Sequence, residues 1–205
     1  YKKIIKTSVY ITFPLMIGLA AVANPLIRLI FGPKWINSIQ YFQVLCFSGM
    51  LYPLHAINLD ILQVKGRSDL FLGLEIVKKV IGLLSIVIVL YFKLGIMGLV
   101  WALVINSYIA YFINSYYSAE LLNYSTMQQI KDVTPAFIAS IFMGIIVYFS
   151  EGILPNNNLI KLIVQTIIGL VVYVGASKIA KIEEFNTIYE LIGSILKKLG
   201  LKDQI

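Results

Sequence analysis

Six runs of roughly twenty apolar residues, separated by short polar joints, constrain this chain more than any other feature. A helix of that length rises about 30 Å at 1.5 Å per residue, the thickness of a bilayer's hydrocarbon core. The runs are Ser8 to Phe31, Tyr41 to Leu62, Leu70 to Phe92, Leu94 to Tyr117, Thr134 to Leu154 and Asn158 to Ser177. They are uniformly apolar rather than alternating and about twice the length of a barrel strand. The fold class they imply is all-α, a polytopic membrane helical bundle of six transmembrane helices. Gly32-Pro33-Lys34, Lys65 to Asp69, Lys93 with Gly95, Asn123 to Asp132 and Leu154 to Asn158 mark the joints. Short joints make sequential helices antiparallel.

Composition agrees. Hydrophobic residues are 59% and charged residues 13% of the 205, where soluble domains carry about 25% charged. Such a chain cannot cover itself with polar groups, which excludes a soluble enzyme domain. The net charge of +7 is scattered between apolar runs with no basic and aromatic patch, so no nucleic-acid partner is expected. One cysteine, Cys46, and one histidine, His55, leave no disulfide and no common His and Cys zinc site. With no phosphate-cradling loop and no nucleophile elbow, no catalytic residue, metal or cofactor is expected, and the chain reads as a non-enzyme. The segment Tyr1 to Phe31 is too long for a signal peptide and holds Pro14, Pro25 and Arg28. A start at Tyr1, with a span following almost at once, reads as a fragment of a longer protein.

Bases set the orientation. Lys2, Lys3, Lys6, Lys65, Arg67, Lys131, Lys178, Lys181, Lys197, Lys198 and Lys202 fall on the side of Tyr1, against Arg28, Lys34, Lys93 and Lys161 on the other. That asymmetry puts both ends of the segment in the cytoplasm. The glycosylation sequon Asn123-Tyr124-Ser125 is then on the wrong side to be used. Trp35, Trp101, Tyr41, Tyr91 and Tyr117 fall near the expected interfaces.

Beyond the sixth span, Ile182, Phe185, Ile188, Tyr189, Ile192, Ile195, Leu196 and Leu199 recur at helical spacing, with Glu183, Glu184 and Glu190 before Lys197 and Lys198. Acids early and bases late suit the helix dipole. Ile182 to Leu201 therefore reads as an amphipathic helix on the inner membrane surface, or one packed on a cytoplasmic loop. The chain divides into a transmembrane bundle, 1–178, and a cytoplasmic tail, 179–205. Within the bundle 134–178 is expected to be a peripheral helix pair. Its first helix lacks ionisable residues before Glu151 and carries the small-residue ladder Ala136, Ser140 and Gly144, and its second has only Lys161 at the boundary.

Polar residues inside the other spans carry the functional argument, because an ionisable group there costs about 2.5–3.5 kcal/mol on insertion scales. In the third span Glu75, Lys78, Lys79 and Gly82 share one face. They either line a wet cavity that attracts a phosphate or diphosphate, or Glu75 neutralises one lysine while the other snorkels. The fourth span holds Ser107, Tyr111, Asn114 and Ser118 in a narrow row, suited to sugar hydroxyls or to hydrogen bonds between helices. The second carries Ser48, Tyr52, His55 and Asn58, with Pro53 placed to kink it. His55 is a candidate for proton coupling or an ordinary hydrogen-bonded histidine. Asp60, its companion for ion coupling, is better placed to pair with Lys65, Arg67 or a third-span lysine. Asn24 and Arg28, four residues apart near the outer end of the first span, are a candidate clamp for an anion.

Two stretches carry a resemblance. Phe13-Pro14-Leu15-Met16-Ile17-Gly18-Leu19, through Asn24-Pro25-Leu26-Ile27 to Phe31-Gly32-Pro33-Lys34-Trp35, resembles a helix and exit turn in the second lobe of bacterial oligosaccharide flippases. Leu62 to Asp69, followed by Glu75 to Lys79, is similar to a later connection and helix of the same proteins. These are the O-antigen and polysaccharide transporters of the multidrug, oligosaccharidyl-lipid and polysaccharide exporter superfamily. The resemblance implies a two-lobed protein of 12 or 14 helices that moves undecaprenyl-diphosphate-linked oligosaccharide, an O-antigen or capsular repeat unit, across the bacterial inner membrane by alternating access. This chain would be its C-terminal portion, partnered by membrane lipids, the lipid-linked oligosaccharide and the missing N-terminal lobe. The last two helices would border a groove for the prenyl tail. A small-cation or multidrug exporter of the same superfamily would favour acids over the lysines of the third span. A membrane-embedded polysaccharide polymerase or transferase would need a large outer loop, and every outer loop here is short.

Overall fold

The computed structural model describes the backbone of residues 1–198 and the side chains of residues 1–190. Leu199 to Leu201 and Lys202, with the side chains of Ile192, Ile195, Leu196, Lys197 and Lys198, lie outside the described residues. All secondary structure among the described residues is helical: α1 (Lys2–Ala21), α2 (Ala23–Ile30), a 3-10 turn (Pro33–Ser38), α3 (Ile39–Met50), α4 (Tyr52–Val64), α5 (Ser68–Tyr91), α6 (Gly95–Leu122), α7 (Thr126–Ser150), α8 (Asn158–Ile179) and α9 (Glu183–Lys198).

Each expected span coincides with a helix or a pair of them, but two spans are broken. The first parts at Val22, just ahead of Pro25 in the opening turn of α2. The second parts at Leu51, with Pro53 in the opening turn of α4, where a missing N–H removes no intrahelical bond. Pro14 sits inside α1 without breaking it. Its ring leaves the carbonyl of Tyr10 without a helical donor, and the Tyr173 hydroxyl of α8 donates to that oxygen at 2.7 Å. Tyr173→Phe is expected to cost about 1 kcal/mol, read as a lower melting temperature in detergent.

Five segments are long and apolar enough to cross a membrane: Lys2–Ala21, Pro33–Val64, Gly95–Leu122, Thr126–Ser150 and Asn158–Ile179. The third expected span, α5, matches them in length at 24 residues, but Glu75, Lys78 and Lys79 in its interior set it apart. Several boundaries also move outward. The stretch Asn123 to Asp132, expected as a joint, is mostly the first two turns of α7. Ser125 and Gln128 form a reciprocal capping box there, each side chain bonding the other's backbone N–H.

Three turns reuse one device. After α4, Arg67 N–H donates to Leu62 O at 2.8 Å and Gly66 N–H to Gln63 O at 2.9 Å. This is the Schellman pairing, which puts the residue between in the left-handed region, here Gly66 at φ 72°. The same pairing follows α5 and α8, but with Lys93 (φ 54°) and Lys181 (φ 50°) at the left-handed position. A side chain there costs about 1 kcal/mol relative to glycine. Lys93→Gly and Lys181→Gly should each raise the melting temperature.

Packing revises one expectation. Far from lying with α8 at the periphery, α7 runs along α1 in the most extensive contact of the chain. Val133, Ala136, Ala139, Ser140, Met143, Gly144 and Val147 are buried there against Val9, Phe13 and Ile17. The small-residue ladder read as a lipid-facing feature is what admits this close approach. Among the described residues the helix at the edge is instead α5, which packs there on α6 and α4 alone and buries only Leu74 and Val89. In this chain α8 lies outside α7 and α2.

At the end of the bundle that holds Tyr1, α9 docks on α1 and α8. Ile182 is buried, and Phe185 and Ile188 pack on the core. Lys6 bonds Glu183 at 2.9 Å and Glu184 at 2.7 Å. The Lys6 ammonium, bonding and attracting it, holds the Glu183 carboxyl below its ordinary value of 4.5. A depressed carboxylate stabilises the fold above its unfolded pKa and stops doing so as pH falls through the folded one. Acidification below about pH 4.5 should loosen α9, read as faster proteolysis after Lys181. Glu183 is largely exposed, so the effect is small.

Candidate functional site

The candidate residues fall into three groups on different helices. On α5, Glu75 and Lys78 form an ion pair one turn apart, with the lysine side chain 16% exposed. Lys78 and Ser85 are seven residues apart and share a face. Ser85 accepts from Asn106 Nδ2 of α6 at 2.7 Å, so this face turns toward α6. Lys79 is exposed and has no ion pair among the described residues. Glu75 thus neutralises one lysine and leaves one charge over. Asp60 is exposed and joins none of the ion pairs among the described residues; the pairing expected for it is absent. Arg67 instead binds Asp69 at 3.2 Å, an exposed pair in which the guanidinium holds the Asp69 carboxyl below its ordinary value.

The row on α6 faces α3 and α4. Ser107 Oγ lies 2.8 Å from His55 Nε2 and donates at 3.4 Å to the Ser48 carbonyl. Three turns further along, Ser118 donates to Asn58 Oδ1. Between them Tyr111 and Asn114 are buried, and neither the Tyr111 hydroxyl nor either polar atom of Asn114 has a partner. The two ends of the row are therefore helix-to-helix hydrogen bonds, and only its middle is unspent. Asn58 is the hub of the lower end. It is fully buried, accepts from Tyr1 Oη at 2.8 Å, exchanges bonds with Gln129 of α7 at 3.2 Å and donates to Leu54 O at 2.7 Å. Tyr124 continues the network, its hydroxyl donating to Asp132 at 2.6 Å while Lys2 pairs with Asp132 at 2.8 Å. Burial and the bond to the Asp132 carboxylate push the Tyr124 phenol well above its ordinary value.

At the opposite end, Arg28 Nε donates to Asn24 Oδ1 at 2.7 Å, Asn24 Nδ2 bonds Glu151, and Lys161 lies 3.9 Å from Glu151. Asn24 and Arg28 are thus bonded to each other, and Asn24 is tied to Glu151 at the end of α7. Glu151 and Lys161 are partners the sequence did not reveal, because nothing in it relates α2 to the α7–α8 turn. Gln129 and Asp132 were missed because they were read as joint residues, although Ser125-x-x-Gln128 is a legible helix start.

The hollows between the described helices include two that are lined mainly by apolar side chains, those of α1 among them. One of about 420 Å³ runs between α1, α7 and α8 and is walled almost wholly by apolar side chains, among them Ile11, Pro14, Leu19, Met143 and Leu170, with Ile188 of α9 at its edge.

A family model described as "Polysaccharide biosynthesis protein" matches residues 1–40. Over 139 residues the chain is 27% identical to the "Teichuronic acid biosynthesis protein TuaB" of Bacillus subtilis (strain 168), which covers 67% of this chain and 28% of that protein. It is 28% identical over 116 residues to the "Lipopolysaccharide biosynthesis protein WzxC" of Escherichia coli (strain K12), covering 55% of this chain and 24% of the relative. An "Uncharacterized membrane protein MJ1068" of Methanocaldococcus jannaschii is 23% identical over 197 residues, 96% of this chain and 38% of its own length. The chain thus spans between 24% and 38% of the length of these relatives. No solved structure matches it.

Proposed function

We propose, taking as premise the polysaccharide flippase family that these low-identity likenesses support, that this multi-pass membrane chain is one lobe of a flippase for lipid-linked oligosaccharide. It acts as a transporter, not an enzyme, in the bacterial inner membrane, with both ends of the segment in the cytoplasm. In this reading α5 is a sixth span, with Lys78 on the side turned to α6 and exposed Lys79 turned to the missing lobe rather than to lipid. Lys78 and Lys79 attract the diphosphate. The row from Ser107 to Ser118 meets sugar hydroxyls when α4 and α6 part, His55 and Asp60 are the candidates for ion coupling, and Asn24 and Arg28 hold an anionic group at the outer end.

The observation that carries the reading is the concentration of polarity on the mutually facing sides of α4, α5 and α6, of which α4 and α6 lie in segments apolar enough to cross a membrane. The apolar hollow between α1, α7 and α8 supports it further, as a resting place for a prenyl tail. Lys78→Ala combined with Lys79→Ala in the intact protein is the test. Export of the glycan at one tenth of the wild-type rate or less, with normal membrane insertion, is the expected result. Unchanged export removes the diphosphate role from α5.

A further inference from the structure

The middle of the α4–α6 seam contains more hydrogen-bonding capacity than the surrounding protein uses. Asn114 is fully buried, and its Nδ2 and Oδ1 are both unpartnered. One turn away the Tyr111 hydroxyl is unpartnered on a side chain 5% exposed, and across the seam His55 Nδ1 is unpartnered while Nε2 is engaged with Ser107. A buried polar group left unpaired gives up its hydration with nothing in return, so leaving several in one place is untenable for a packed bundle. Their positions are related. Ser107, Tyr111, Asn114 and Ser118 fall on one narrow face of α6, and its two ends are tied to α4 by the His55 and Asn58 bonds. Tyr111 and Asn114 therefore lie on the same seam between those ties. At 1.5 Å per residue the axial run from Ser107 to Asn114 is about 10 Å.

We propose that internal water is bound at this seam, held by the Asn114 carboxamide and the Tyr111 hydroxyl and reaching toward His55 Nδ1. Carboxamide and phenol together offer donors and acceptors of both kinds, the two to four polar partners a buried water needs. No carboxylate joins them to favour a cation: Glu75 on the neighbouring α5 is paired with Lys78, and Asp60 of α4 is exposed. The bound water completes a hydrogen-bonded column from Lys2, Asp132 and Tyr124 at one end of the bundle, through Asn58 and Ser118, to the Ser107 and His55 pair. The site follows from the packing alone and stands whatever the protein carries.

Radiolytic hydroxyl labelling of the intact protein in nanodiscs tests it, because water bound beside a buried tyrosine labels it where bulk radicals do not reach. Tyr111 is expected to be labelled to at least one tenth of the level of exposed Tyr116, with sodium or with choline as the only cation. A Tyr111 signal at background while Tyr116 reacts overturns the proposal. Loss of the signal on replacing choline by sodium also overturns it, by showing that a cation takes the place of water. Asn114→Leu supplies a second measure. A bound water makes the variant melt lower than wild type and lose the Tyr111 label, whereas a variant that melts higher shows that Asn114 was merely unpaired and overturns the site.

Discussion

Asn58→Leu will lower the stability of the purified protein by about 2–3 kcal/mol. Interhelical hydrogen bonds in membrane proteins average only about 0.6 kcal/mol in double-mutant cycles. The bonds Asn58 makes to Tyr1, Ser118 and Gln129 therefore account for roughly 2 kcal/mol. The remainder comes from what stays behind. Leucine matches the volume but accepts nothing, so the Gln129 carboxamide and the Ser118 hydroxyl, both fully buried, lose their principal partner. Gln129 keeps only a 3.4 Å bond to the Tyr124 carbonyl. The measurement is thermal or denaturant unfolding in detergent. A loss below about 0.5 kcal/mol shows that the network contributes no more than an average exposed contact. A cycle with Ser118→Ala separates the pair from the rest: coupling of the two changes is expected, and simple additivity counts against a shared network.

The second large effect is steric. A Cβ placed on Gly144 of α7 falls well inside van der Waals contact with Ile17 Cγ2 of α1, and Ile17 is branched at Cβ and buried, with little room to turn. Gly144→Val therefore pushes apart the two helices with the most extensive contact. It should cost about 3 kcal/mol, the upper end for overpacked cores. Ile17→Ala in the same chain should restore part of that loss by vacating the space, although the single change Ile17→Ala is itself destabilising. A double variant no more stable than Gly144→Val alone would place the strain elsewhere. Gly18→Ala is the contrasting control. Its added Cβ meets Met143 Cε at 3.6 Å, an ordinary contact with the flexible end of a side chain, and near-neutral behaviour is expected.

The elements were more legible than their arrangement. Length and uniform apolarity located the apolar helices, helical spacing located α9, and Pro53 announced the break at Leu51. What periodicity cannot convey is which face meets which neighbour. Ala136, Ser140 and Gly144 signal close approach but not the identity of the approaching helix, and so α7 was set at the edge when it belongs beside α1. The lysines of α5 left two readings open, a wet cavity or a lysine neutralised by Glu75 beside one that snorkels. Charge in an apolar run suggests a central, water-lined helix, yet one of those lysines is neutralised within its own turn and the helix lies outside α6. Of the candidate site, the local pairs were visible from spacing: Asn24 with Arg28, and Glu75 with a lysine. The partners across long sequence gaps were not, since Tyr1 reaches Asn58 and Asn24 reaches Glu151 only through the fold.

The edge position of α5 has a mechanical consequence. Among the described residues α5 is braced by α6 and α4 alone, between the left-handed turns at Gly66 and Lys93, so a tilt of this helix would leave the interior formed by α1 and α7 intact. Lys78 and Lys79 would travel with it, and the field along the seam would then change through a rigid rod rather than through rearranged side chains.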